Sequence, residues 1–145
     1  MNRSVLWGLL GALILVGGTV LLVAGAESFG DCYWGNFSAS ALQRASLDTG
    51  EAATTLFDSA AGVRQPYGIA LDLADDSVYW ANYGDSKIMR SSIDGTRAAE
   101  TLFSGTPFNG LNKPYGVALD LTNNRVYWAS HLGACIQCGS MDGAG

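Results

Sequence analysis

The feature that most restricts what this chain can fold into is an internal duplication. Pro66-Tyr67-Gly68-Ile69-Ala70-Leu71-Asp72-Leu73 returns 48 residues later as Pro114-Tyr115-Gly116-Val117-Ala118-Leu119-Asp120-Leu121. Val78-Tyr79-Trp80-Ala81 returns at the same offset as Val126-Tyr127-Trp128-Ala129, and Ile93-Asp94-Gly95 as Met141-Asp142-Gly143. Over thirty residues from Pro66 and from Pro114, fifteen are identical without a gap. A third, weaker copy lies upstream. Tyr33-Trp34 precedes Asp48 by the spacing that separates Tyr79-Trp80 from Asp94, and Leu56-Phe57 matches Leu102-Phe103 at a 46-residue offset. Units of this size cannot bury an apolar face alone, so they stack on one another.

The punctuation inside one unit predicts four strands. Gly68 to Leu71 is a short apolar run ended by Asp72, and Ser77 to Ala81 is a second run, closed by the turn cluster Asn82 to Ser86. Lys87 to Ile93 alternates polar and apolar residues and stops at Asp94-Gly95, the signal for a two-residue type I′ hairpin. Glu100 to Phe103 supplies the fourth strand. No stretch in these units shows apolar residues at helical spacing. Four antiparallel strands per roughly 45 residues is a propeller blade. The expected fold class is therefore all-β, a partial β-propeller of four-stranded antiparallel blades over residues 27–145, with repeats at about 32–60, 66–106 and 114–145. Nineteen glycines and only 14% charged residues suit short strands joined by tight turns.

The N-terminal segment has a different character. After Arg3, Val5 to Ala26 carries no charged residue and ends in Ala24-Gly25-Ala26. A basic start, an apolar stretch and small residues at the end form an export-signal pattern. The run also approaches the ~20 residues that span a bilayer as a helix. Residues 1–26 are thus expected to be one hydrophobic helix, either a cleaved signal peptide or a membrane anchor through residues 5–26. Both readings put residues 27–145 outside the cytoplasm, secreted or membrane-anchored.

With the repeats laid out, the order P-Y-G-[IV]-A-L-D-L, [SR]-V-Y-W-A, turn, I-x-x-x-S-[IM]-D-G resembles the YWTD repeats, also called low-density lipoprotein receptor class B repeats, from about Cys32 onward. Tyr-Trp is kept, but Thr-Asp is replaced by Gly35-Asn36, Ala81-Asn82 and Ala129-Ser130. Asn82 and Ser130 can take over part of the bonding that the family's Asp would supply. The resemblance implies a ring of six blades, of which this chain supplies about two and a half. The expectation is a fragment of a larger propeller protein, or copies that assemble. It also implies that ligands, proteins or peptides, meet loops on one rim, with Asn82, Asp85, Ser130 and His131 as candidate ligand-facing residues.

The remaining polar residues point to architecture. Tyr33, Trp34, Gly68, Asp72, Tyr79, Trp80, Asp94, Gly95, Gly116, Asp120, Tyr127, Trp128, Asp142 and Gly143 all sit at repeated positions, so packing and turn chemistry account for them, whereas a catalytic group would occur once. Cys135-Ile136-Gln137-Cys138 has metal or redox spacing, but on a strand residues i and i+3 face opposite sides. Cys32 stands where Val78 and Val126 stand, which suits an apolar role. There is one histidine and no Gly-x-Ser-x-Gly, phosphate loop or His-Glu-x-x-His. The net charge of −5 and the scattered basic residues argue against nucleic acid. The expected function is a non-catalytic binding or scaffold module without metal or cofactor. A fragment of a propeller hydrolase or lactonase, and a small self-assembling propeller, remain alternatives.

Overall fold

A computed structural model of the protein describes residues 20–22, 30–105 and 110–144, and their strands form three antiparallel sheets. The first contains β1 (Val20–Leu22), β2 (Asp31–Asn36), β3 (Ala41–Ser46) and β4 (Thr54–Phe57). The second contains β5 (Pro66–Asp72), β6 (Ser77–Asn82), β7 (Lys87–Ser92) and β8 (Glu100–Ser104). The third contains β9 (Pro114–Asp120), β10 (Arg125–Ser130) and β11 (Cys135–Ser140). Each sheet is a meander in sequence order, and β5 lies against both β1 and β9. The fold is the partial propeller that the repeats require, with β1, β5 and β9 as inner strands.

Period-two alternation sets which side chains each sheet buries. On β6, Val78 and Trp80 face the first sheet, packing with Tyr33, Leu42, Phe57 and Val63. Tyr79 and Ala81 face the third sheet, packing with Val126, Trp128 and Met141. The middle strand is consequently buried at all six positions, whereas β10 alternates exposed and buried along its length. One fourth-strand ring stacks on the next sheet's indole at each junction: Phe57 on Trp80 at 6.0 Å, and Phe103 on Trp128 at 4.9 Å.

One expectation needs correction. The Asp94-Gly95 turn is not a two-residue type I′ hairpin, because seven residues separate β7 from β8 and only Gly95 has positive φ (81°). Asp94 instead accepts from the backbone N–H and hydroxyl of Thr96, an Asx turn that opens a wider connection. The expected helix over residues 1–26 lies outside the described residues except at Val20–Leu22, and these three are extended. They pair antiparallel with β2, Val20 opposite Trp34 and Leu22 opposite Cys32, as Ile69 stands opposite Trp80 and Leu71 opposite Val78. An unpaired β2 edge offers backbone bonds that an apolar Val-Leu-Leu run satisfies without a polar penalty. Among the described residues, no helix is long and apolar enough to cross a membrane.

Candidate functional site

Each sheet pairs its indole N–H with an amide oxygen. Trp80 Nε1–H donates to Asn82 Oδ1 at 2.9 Å, whereas Trp34 and Trp128 donate to Gln43 and Gln137 on the adjoining strand, at 3.1 and 3.0 Å. The indole partner is therefore Asn82 in one sheet and a glutamine on the neighbouring strand in the others. Asn82 is 0% exposed. Its Oδ1 also accepts from the backbone N–H of Arg64 (3.0 Å), and its Nδ2 donates to the Gly62 carbonyl (2.8 Å), so it clamps the incoming connection to β6. Ser130 is buried too, its hydroxyl donating to Gln137 Oε1 at 2.9 Å. The structure thus places Asn82 and Ser130 beneath the rim as supports.

What reaches the surface at that rim is aromatic. Phe37, Tyr83 and His131 follow the ends of β2, β6 and β10, and Tyr67 and Tyr115 stand second in β5 and β9. Antiparallel pairing brings a second strand's end beside an inner strand's start, Pro66 opposite Asn82 and Pro114 opposite Ser130, so all five rings meet. Ring centroids are 5.1 Å apart for Phe37 and Tyr67, 4.2 Å for Tyr67 and Tyr115, 5.4 Å for Tyr83 and Tyr115, and 4.8 Å for Tyr115 and His131. A hydrogen bond with Tyr67 raises the Tyr115 pKa, keeping its phenol protonated. Lys113 adds the positive charge: its Nζ donates to the Gly84 carbonyl at 3.1 Å and lies 4.9 Å from the Tyr83 ring centre. The phenyl and phenol rings are half-buried and His131 is exposed, giving one amphipathic strip across three sheets. Asp85 sits in the same loop as Tyr83 and pairs with Lys87 at 2.7 Å.

The repeat pattern points to the loops but not to Tyr67, Tyr115 or Phe37. The signal that finds them is an aromatic ring three residues after each Tyr-Trp tryptophan, together with the tyrosine of each Pro-Tyr-Gly.

The repeated carboxylates are turn residues. Asp72, Asp120 and Asp142 accept from the backbone N–H groups of Ala74, Asn123 and Ala144. Asp94 is held down to about 2, by a hydrogen bond from Ser92 first and then by those from Thr96, and the pKa values of Asp120 and Asp142 are lowered in the same way. The three cysteines are free thiols; Cys135 and Cys138 are exposed, and burial raises the Cys32 pKa. Among the described residues no three His, Cys, Asp or Glu side chains gather as a metal site would require. Gly68 is fixed by close approach: a Cβ there would lie 2.5 Å from the Tyr115 carbonyl oxygen and 2.7 Å from the Val117 nitrogen. Gly116 has nothing within 4 Å of the equivalent point.

Comparison with known proteins agrees with this geometry. No family model matches the sequence, and no curated protein matches it. Among solved structures, the chain is similar to the nidogen YWTD propeller in the crystal structure of a nidogen/laminin complex, with 29% identity and a TM-score of 0.67 over 79% of this chain and 41% of that one. The resemblance seen in the repeats thus extends to three dimensions. Virginiamycin B lyase from Staphylococcus aureus is similar in fold alone: 13% identity and a TM-score of 0.52, covering 84% of this chain and 44% of that one, and 14% and 0.53 for its catalytically inactive H270A form with quinupristin. This chain therefore spans less than half the length of these structures.

Proposed function

We propose that the protein is a non-catalytic binding module acting outside the cytoplasm, and that it takes protein or peptide ligands on the aromatic rim. One observation carries this reading: Phe37, Tyr67, Tyr83, Tyr115 and His131 form a continuous strip across three sheets, while the repeated carboxylates are spent on turns. Rigid aromatic rings with a polar tip lose little conformational entropy on binding and suit backbone and side-chain partners alike. The similar nidogen propeller is itself seen in a complex with laminin, which supports a protein ligand. Its location rests on the apolar segment from Val5 to Ala26 that follows Arg3.

The test is selection of a random phage-displayed peptide library on the immobilised chain. Selected peptides should lose at least tenfold in affinity on Tyr83→Ala and Tyr115→Ala, and should keep their affinity on Leu73→Ala, an exposed substitution in the β5–β6 loop at the opposite end of the strands. Recovery of no peptide, or of peptides indifferent to both tyrosines, overturns the reading. Export is checked separately by a reporter enzyme active only outside the cytoplasm, fused after Gly145; an inactive fusion refutes that part.

A further inference from the structure

The aromatic rim differs in charge from the opposite end of the strands. The connections on its side hold Asp58, Arg64, Asp85 and Lys113, and β7 begins there with Lys87. Asp85 is taken up by Lys87 at 2.7 Å, and Asp58, at the outer end of β4, accepts from the Ala60 N–H at 2.8 Å. Arg64 and Lys113 are the cations beside Tyr83: the Gly84 N–H donates to the Arg64 carbonyl at 3.0 Å, and the Gly84 carbonyl accepts from Lys113 Nζ at 3.1 Å. Among the described residues, the connections at the opposite end hold Asp48, Glu51, Asp75, Asp76, Asp94 and Asp142 against Arg97. A chain of net charge −5 thus keeps its acidic excess away from the rings.

Lys113 is the cation set among the rings, and the fold does not call for its charge. Its counterpart in the preceding repeat is Gln65. Both have a left-handed backbone, with φ of 52° and 47°. Each donates its N–H to a serine hydroxyl of the preceding sheet's turn, Ser86 and Ser40, at 3.1 Å, and each carbonyl accepts from the ring residue after a second strand, His131 and Tyr83. The backbone therefore does the structural work, and an uncharged side chain serves it as well. The ion pairs among the described residues join Arg44 to Asp31, Lys87 to Asp85 and Arg90 to Glu100, and Lys113 is in none of them. Its ammonium gives one hydrogen bond to Gly84, which leaves further N–H groups for a partner. It lies 4.9 Å from the Tyr83 ring centre and two residues from Tyr115, whose phenol stays protonated. A group that only accepts hydrogen bonds and carries negative charge suits such donors. We propose that the peptide taken by the rim is acidic, with a side-chain carboxylate against Lys113 Nζ and an apolar or aromatic neighbour on Tyr83 and Tyr115. This rests on the reading of the rim as a peptide site and adds the charge of the ligand.

The experiment selects the random phage-displayed peptide library in parallel on the full chain and on Lys113→Gln, which installs the residue of the preceding repeat and should keep the wild-type circular dichroism spectrum. Peptides from the wild type are expected to be enriched in Asp and Glu over the unselected library, and those from the variant are not. Synthetic copies of the wild-type peptides should lose about fivefold or more in affinity when their acidic residue becomes the matching amide, and as much on Lys113→Gln. Arg125→Gln, which removes a cation at the opposite end, should leave them unchanged. Raising salt from about 0.05 M to about 0.5 M should weaken the acidic peptides and spare their amide forms. The amide exchange and the salt series use the wild-type chain, so they decide the matter even if Lys113→Gln fails to fold. Tyrosine-dependent peptides without acidic residues, or acidic ones indifferent to the amide exchange or to salt, overturn this inference and leave the rim as a peptide site. Absence of any tyrosine-dependent peptide overturns both.

Discussion

Asn82 occupies the end of β6, where its amide takes on four partners from three segments: the Trp80 indole, the Arg64 N–H, the Gly62 carbonyl and the Met89 sulfur. Replacing it with Ala strands these groups in a site from which water is largely excluded. Asn82→Ala is expected to cost about 3 kcal/mol, because unpaired buried polar groups carry their full desolvation penalty. Ser130→Ala at the equivalent position should cost about 1 kcal/mol or less, since Gln137 still receives the Trp128 N–H. Urea denaturation of the two variants checks the difference, and equal midpoints would refute the clamp role. The turn roles of Asp72, Asp94, Asp120 and Asp142 were readable from sequence, because an Asx turn is local and its partner lies two or three residues on. Burial of Asn82 was not readable, since Gly62 and Arg64 reach it only after the connection from the first sheet has packed down.

At the scale of elements, strand boundaries follow the repeat closely: the runs read as Ser77 to Ala81 and Glu100 to Phe103 fold as Ser77–Asn82 and Glu100–Ser104. Short strands bounded by turn residues carry their own limits. The N-terminal segment does not, because an apolar run satisfies a helix in lipid and an inner strand beside β2 equally well. These uses exclude each other at Val20–Leu22: removal of a leader after Ala26 would take β1 out of the first sheet. A chain beginning at Glu27 is expected to be less stable than the full chain by about 2 kcal/mol, from three lost cross-strand pairs and their backbone bonds. Its β2 amides should exchange faster while those of β6 keep their protection. Paired thermal melts and hydrogen exchange of the two chains decide this, and identical behaviour would show that β1 contributes nothing to the sheet.

Across the whole molecule, stability is graded by coverage. Among the described residues, the second sheet has neighbours on both faces and the outer sheets on one, which the burial of β6 and the alternation of β10 record. In single chains, amides of β6 and β7 should exchange most slowly and those of β11 markedly faster, because local opening is easiest where few apolar contacts must be broken. Uniform protection across the three sheets would contradict that gradient. The sequence by itself determined the blade, its strands and its repeated positions, because period-two burial and turn chemistry are written within a few residues of one another. Only the tertiary structure decided which copy of a repeated residue is buried, which rings meet at the rim, and that Val20–Leu22 stands as a strand. Tyr79 and Tyr127 have the same immediate neighbours in sequence, yet Tyr79 is 1% exposed beneath the third sheet and Tyr127 is 36% exposed.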